Sequence, residues 1–353
     1  MTVPDRRPRR ILAVALAVAV GGSGLAACGD DEPAADAQVG GPVTVRSCGT
    51  PLRFDAVPRR AVVRDTALAE ILLSLGLDDR VVGYSNYRPR KLRTPLPEFA
   101  ARIDAWRFLG AGTLTREQLL SVKPDFLFAG YNYGLDRTTG VVPERLAKDG
   151  IATYVFSETC RVVDRSLAPP TQATVHGDIT AIGRIFRVED RAARLVDALR
   201  ARTAAVERRL AGVQRRPVFV YMSGEDAPFT GGRGSVLSDL LQRAGGTNVA
   251  AKAAGVWTAA SWETVVRARP ELIVIGDYGE EHPTPQEKLR VLERLKILRD
   301  VPAIRHRRFL VLPAEALNPG VRNAWGIESI AHALHPDRVG RPGPVLPPEA
   351  ARR

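Results

Sequence analysis

Apolar residues along this chain keep two alternating periods. Short, mostly apolar runs at residues 43–47, 61–63, 80–83, 126–129, 151–156, 218–221, 272–275 and 309–312 read as strands. Between them apolar positions recur every three or four residues, as on amphipathic helices. Such helices are predicted over 67–75, ended by Gly76, over 235–244, ended by Gly245-Gly246, and over 143–148, 288–294 and 323–334. Strands separated by helices predict an α/β fold with mostly parallel sheets covered by helices.

From Thr171 to Leu210 the pattern is helical throughout. Ile179, Ile182, Ile185 and Phe186 share one face, followed by Ala192, Leu195, Val196, Leu199, Val206 and Leu210. Neither Pro nor Gly interrupts 184–211, which predicts one long helix over about 189–210. An internal repeat flanks it. Residues 115–130 realign without a gap on 261–276: hydroxyl, one residue, Glu, a short amphipathic helix, basic-Pro-acidic, then an apolar strand. Two similar α/β lobes with a stiff helical connector imply a cleft between them, and such clefts hold small molecules. The expected division is a signal peptide at 1–27, a linker at 28–42, a first lobe at 43–170, a connecting segment at 171–211, a second lobe at 212–340, and a Pro/Arg-rich tail at 341–353.

The amino-terminal segment changes the picture of where the chain works. Arg6, Arg7, Arg9 and Arg10 precede the apolar stretch 11–20, and small residues lead to Leu25-Ala26-Ala27-Cys28. This is a secretory signal, too short for a membrane span. Its end looks like the bacterial lipobox, with Cys28 as the lipidated residue of an extracytoplasmic chain anchored to the cell membrane. The Asp-, Ala-, Pro- and Gly-rich stretch 29–41 suits a flexible spacer. The formal net charge is +12; it favours anionic partners, while export argues against nucleic acid. In an oxidising compartment Cys48 and Cys160, each following a strand of the first lobe, are expected to form a disulfide.

In parallel sheets ligands gather at the carboxyl ends of the strands. Tyr87, Tyr131, Tyr133, Tyr221 and Tyr278 stand at or just beyond such ends, together with Glu158, and tyrosine offers stacking area plus a hydroxyl. Arg322 and Arg107 are candidate anion partners. The turn 230–235, Thr-Gly-Gly-Arg-Gly-Ser, lacks the Gly-Lys-Ser/Thr end of a nucleotide loop and reads as a tight strand-to-helix connection. His176, His282, His306, His332 and His335 are scattered, so no metal site is expected. Neither an HExxH nor a Gly-x-Ser-x-Gly motif is present; an exported cleft enzyme, with Asp226, Glu158 and Glu315 converging, is the different-class alternative. No catalytic residue and no cofactor is expected.

Tyr221-x-x-Gly with Phe229-Thr-Gly-Gly232, the Ser261-x-Glu-x-Val-x-x-Arg-x-Pro270 motif and its counterpart Thr115-x-Glu-x-Leu-x-x-x-Lys-Pro124 resemble the solute-binding proteins of bacterial ABC importers for iron–siderophore complexes, haem and cobalamin. The resemblance spans about residues 43–340. Cys48-Gly, Thr159-Cys160 and Asn318-Pro-Gly-Val-Arg322 are similar to an actinobacterial subgroup associated with deazaflavin-cofactor precursors. It implies two α/β lobes joined by a backbone helix and a monomer that delivers its ligand to a permease and its ATPase. It also implies that Glu117 and Glu263 engage permease arginines. Thr115 and Ser261 as N-caps would put each Glu at the second helical position, where a carboxylate is favoured yet free for Arg. Trp257 matches the cleft Trp of the cobalamin binders, and Tyr87 falls at their first-lobe aromatic. Trp106 is a further cleft candidate, but its spacing from Glu117 departs from theirs. The expected ligand is therefore an anionic metal chelate, a ferric siderophore first, with cobalamin or another corrinoid-like ligand, haem or a deazaflavin precursor as alternatives.

Overall fold

The computed structural model describes residues 41–86, 95–131, 134–279 and 283–347. It opens with an antiparallel hairpin, β1 (Val43–Ser47) and β2 (Thr50–Phe54). The first lobe continues through β3 (Ala61–Arg64), α1 (Thr66–Ser74), β4 (Val81–Asn86), α2 (Pro97–Ala105), β5 (Phe108–Ala111), α3 (Arg116–Leu120), β6 (Phe126–Tyr131), β7 (Gly134–Leu135), α4 (Pro143–Leu146) and β8 (Ala152–Val155). Its parallel sheet runs β5-β4-β3-β6, and β6 pairs with β8 along its length and with β7 at its carboxyl end.

Two helices follow, α5 (Gln172–Ile185) and the 21-residue α6 (Glu189–Arg209). The second lobe contains β9 (Arg216–Tyr221), β10 (Phe229–Gly231), α7 (Leu237–Arg243), β11 (Gly246–Asn248), β12 (Trp257–Ala259), α8 (Trp262–Ala268), β13 (Leu272–Asp277), α9 (Pro285–Arg294), α10 (Pro302–Arg305), β14 (Phe309–Pro313) and α11 (Asn323–Leu334). Its parallel sheet runs β11-β9-β13-β14, and β10 and β12 form a separate antiparallel pair. The sequence pattern missed β2, β5, β7, β10, β11 and β12. Strands β7, β10, β11 and β12 are two or three residues long, β2 contains Pro51 and β5 contains Gly110, so no strand signal stands out there.

Each sheet buries both faces. Along β6, Phe126 and Phe128 enter the core shared with α1, α5 and α6, while Leu127 and Ala129 enter the opposite core with Leu119 of α3. Along β9, Val218 and Val220 face Val206 of α6 and Ile327 of α11, while Phe219 and Tyr221 face Trp262 and Val265 of α8. This is the period-two alternation of a strand with apolar layers on both sides.

The connector belongs to both cores. Ala192, Leu195, Val196 and Leu199 of α6 pack into the first lobe, and Val206 and Leu210 into the second. A helix of this length is roughly 32 Å long, enough to line both lobes. Arg202 fixes its middle by a two-pronged ion pair to Glu328 of α11 and a bond to Val345 O of the tail. The tail docks: Leu346 is buried within the first-lobe core. Val236, Val321 and Ala324, all from the second lobe, lie in that same core. The lobes therefore share packing at their base.

The expected disulfide is present. Cys48 and Cys160 are bonded with their Cα atoms 5.0 Å apart, tying the β1–β2 turn to the segment after β8.

Candidate functional site

Parallel pairing puts the carboxyl ends of each sheet's strands along one edge. In the first lobe that edge carries Arg64, Asn86 and the backbone of Tyr131; in the second it carries Tyr221, Asn248 and Asp277. Segments leaving these edges meet across the lobes. Arg322, just before α11, grips Glu70 of α1, with Nε to Oε2 at 2.7 Å and Nη2 to Oε1. Glu158, after β8, accepts from the backbone N–H of Val236 at 2.8 Å. Asp239 of α7 accepts from Gln172 N–H at 2.7 Å. Gly320 lies against Ala67: a Cβ there would come within 3.3 Å of the Ala67 methyl.

The second-lobe wall is aromatic. Trp257 on β12 is partly exposed and stacks on Phe229 of β10, with centroids 6.3 Å apart and planes 28° apart. The two strands pair antiparallel, which sets their rings on one face. Tyr278, just past β13, is also partly exposed, and the Lys288 ammonium sits 5.2 Å from its ring centroid. Lys288, itself buried, bonds Gly276 O at 2.5 Å. In the first lobe, buried Arg64 bonds Gly112 O at 2.5 Å, and Gly134 packs on its stem. Next to it Asp65 caps α1 with φ of 79°, a conformation costly for a residue with a Cβ. Buried Thr66, Tyr84 and Asn86 complete this corner with mutual hydrogen bonds of 2.6 to 3.0 Å.

Several sequence candidates lie elsewhere. Trp106 is buried in the first-lobe core, its indole N–H donating to Asp78 O at 3.2 Å and its ring tilted on Tyr84. Large apolar area and an available carbonyl draw it inward. Tyr221 also turns inward, because its place in the β9 alternation faces α8. It packs 5.6 Å from Trp262, donates to Gly224 O at 3.0 Å, and burial pushes its pKa up to about 12. Arg322 is only 4% exposed and is committed to Glu70, with Glu315 at 3.9 Å, so it is not the expected anion partner. Arg107 is exposed and immediately precedes β5, whose Phe108 pairs with Tyr84 in the middle of β4. Tyr87 and Tyr133 fall outside the described residues, and Tyr131 is described in its backbone only.

The Gly-rich turn is closed by the segment 253–256. Gly232, Arg233 and Gly234 donate their N–H groups to Val256, Ala253 and Gly255 carbonyls at 2.8 to 2.9 Å. A Cβ on Gly232 would lie 2.7 Å from Ala253 O, so these glycines serve a close backbone approach rather than a phosphate. The carboxylates of the enzyme alternative do not converge: Asp226 is exposed, Glu315 faces Arg322 and Glu158 faces Val236. No group of three or more metal-ligating side chains occurs among the described residues. A surface groove lined by Glu207, Gly212, Arg215, Asp239 and Arg243 lies at the carboxyl end of α6 and includes none of the aromatic wall residues.

Sequence reasoning missed Phe229 as a wall residue and Glu70 as a lobe-bridging one. Glu70 had a signal: a lone carboxylate amid Ala, Leu and Ile on a helix buried from Thr66 to Leu73. Two exposed carboxylates sit outside the inter-lobe region. Glu117 lies within the Thr115–Gln118 capping box that opens α3, and Glu263 follows the Ser261 cap on α8. Glu263's own backbone N–H and the Ser261 side chain hold its carboxyl below the ordinary value.

The family described as Periplasmic binding protein matches residues 62–316. A vitamin B12-binding protein of Photorhabdus laumondii is 24% identical over 231 residues, covering 64% of this chain and 74% of its own length. A periplasmic binding protein from Veillonella parvula superposes with a TM-score of 0.72 at 25% identity, over 84% of this chain and 99% of its own. An ABC-type Fe3+-hydroxamate transport protein from Saccharomonospora viridis gives 0.70 at 25% identity, over 83% and 98%.

Proposed function

Since the chain belongs to the periplasmic binding protein family, we propose that it is an extracytoplasmic solute-binding protein, not an enzyme. It holds a metal-bound organic ligand between its lobes and delivers it to an ABC importer permease. The observation that carries this reading is the Trp257–Phe229 stack on a partly exposed wall beside the inter-lobe contacts. Stacked rings suit a large flat or ring-shaped ligand. The likeness to a vitamin B12-binding protein supports a corrinoid, and the Saccharomonospora likeness keeps ferric hydroxamates in the set. Trp106 is a core residue and bears on neither ligand, so the likeness to a vitamin B12-binding protein puts a corrinoid ahead of a ferric siderophore. The ligand class is a corrinoid, haem or ferric chelate, with the corrinoid to be tried first. Anchoring through Cys28 and permease docking through Glu117 and Glu263 belong to the same proposal.

Titration of the purified chain with cyanocobalamin, haem, ferric desferrioxamine B and bare ferric ion tests this. Saturable binding of a chelate, weakened in Trp257→Phe, is the expected result. Binding of bare ferric ion without any chelate would overturn the ligand class.

A further inference from the structure

Glu158 lies on the 3-10 stretch Ser157–Val162 after β8 and is 1% exposed. Its carboxyl group reaches out of its own lobe. Oε1 accepts from Val236 N–H, at the start of α7. Oε2 is buried without a hydrogen-bond partner among the described residues, and so is the indole N–H of Trp257. The two groups do not close to hydrogen-bond geometry, yet the indole is near enough to favour the ionised form of Glu158. Burial works against that form and dominates, raising the pKa to about 8.

The charge state decides what the indole meets. An ionised carboxylate accepts at both oxygens, so Val236 and Trp257 can be served together. A carboxylic acid with its proton on Oε2 turns a donor toward the indole donor and leaves that N–H unsatisfied, which is costly when buried. We propose that Glu158 is a positioning residue for Trp257: from the first lobe it holds two second-lobe elements, and its proton sets how the ligand-facing indole is held. This rests on the reading of Trp257 as a wall of the binding site.

Few other charges intrude. From α5, Asp178 faces this corner and raises Glu158 further; it is itself bonded to Tyr154 and Ser157. His176, also on α5, lies in the field of Arg200, Arg243 and Asp239. Asp239 of α7 is engaged by Gln172 N–H and Arg243. Strands β10 and β12 carry no titratable group, and on β6 the one such residue is Tyr131, described in its backbone only.

The test uses the full chain labelled with 5-fluorotryptophan, which gives one fluorine resonance for each of four Trp residues. Trp257→Phe assigns the relevant line. In wild type that line should shift with pH, with a midpoint of about 8. In Glu158→Gln the amide oxygen still serves Val236, so the line should stay at its acid-side position at every pH. Glu158→Ala should displace it at all pH values. A Trp257 line that ignores pH in wild type, or titrates unchanged in Glu158→Gln, overturns the proposal. Undiminished chelate affinity in Trp257→Phe would instead overturn the binding-wall reading beneath it, so the two failures are separable.

Discussion

Arg322 and Glu70 form a two-pronged ion pair between the lobes, with both side chains buried. Glu70 also accepts from Leu96 N–H at 2.9 Å. Burial lifts the pKa of Glu70, while Arg322 and then Leu96 N–H oppose the rise. One carboxylate thus ties α1, the start of α2 and the second lobe together. With the continuous helix α6 and the shared core at the base, the pair leaves little freedom for wide opening, since hinge motions need loop residues to absorb large dihedral changes.

Removing one partner strands the other charge in the interior. Arg322→Met is expected to cost about 3–5 kcal/mol. The double variant Glu70→Leu/Arg322→Met should recover much of that loss, because the uncompensated charge is gone. Urea unfolding followed by circular dichroism measures both. A single variant as stable as wild type would show that the pair contributes no net constraint.

Stability should depend on pH through Glu158. Its folded pKa of about 8 lies above the ordinary 4.5, so the folded chain holds the proton more tightly. The associated stabilisation is complete below 4.5 and is lost as pH rises through about 8. Asp178, raised to about 6, acts with the same sign at lower pH. His176, lowered from 6.5 to about 4, acts oppositely, and its contribution is complete above 6.5. Between pH 6.5 and 8 the melting temperature should therefore fall, and Glu158→Gln should flatten the fall. The slope from a single such proton is at most about 1.4 kcal/mol per pH unit. An equally steep fall in the Gln variant would assign the effect to another group.

The architecture was legible because its signals are local. The strands at 126–129, 218–221 and 272–275, the long connector and the caps at Thr115 and Ser261 all rest on periodicity or on hydroxyl placement. The site was less legible because strand ends do not reveal which way a ring turns. Tyr221 and Trp257 both looked exposed to ligand. The β9 alternation sends Tyr221 under α8, whereas pairing with β10 leaves Trp257 on an open face. Arg322 looked free because its partner Glu70 lies 252 residues away.

The Cys48–Cys160 bond closes a separation of 112 residues. A loop of that size restricts the unfolded chain strongly, and losing such a bond typically costs about 2–5 kcal/mol. The double Ser variant should unfold at lower urea than the oxidised wild type, and reduced wild type should match the variant. Equal midpoints for all three would mean that the hairpin β1–β2 is held by its packing alone. Alkylation of two thiols in the folded, unreduced protein would show that the bond is absent in solution.

Permease docking is tested by charge reversal at Glu117 and Glu263. Each carboxylate stands exposed at the second position of a capped helix, one per lobe, on the sheet faces opposite α6. Local geometry favours the ionised form of Glu263, and a carboxylate so placed can pair with a guanidinium in two-pronged fashion. The aromatic wall and the lobe-bridging residues lie on other segments, so docking and ligand capture should separate. Glu117→Arg/Glu263→Arg is expected to abolish uptake in cells carrying the cognate importer and leave chelate affinity unchanged in the purified chain. Each single reversal should weaken uptake, because the proposed docking uses one carboxylate per lobe. Loss of chelate binding in a folded double variant would place these glutamates on the ligand side. Normal uptake in the double variant would move the docking surface elsewhere.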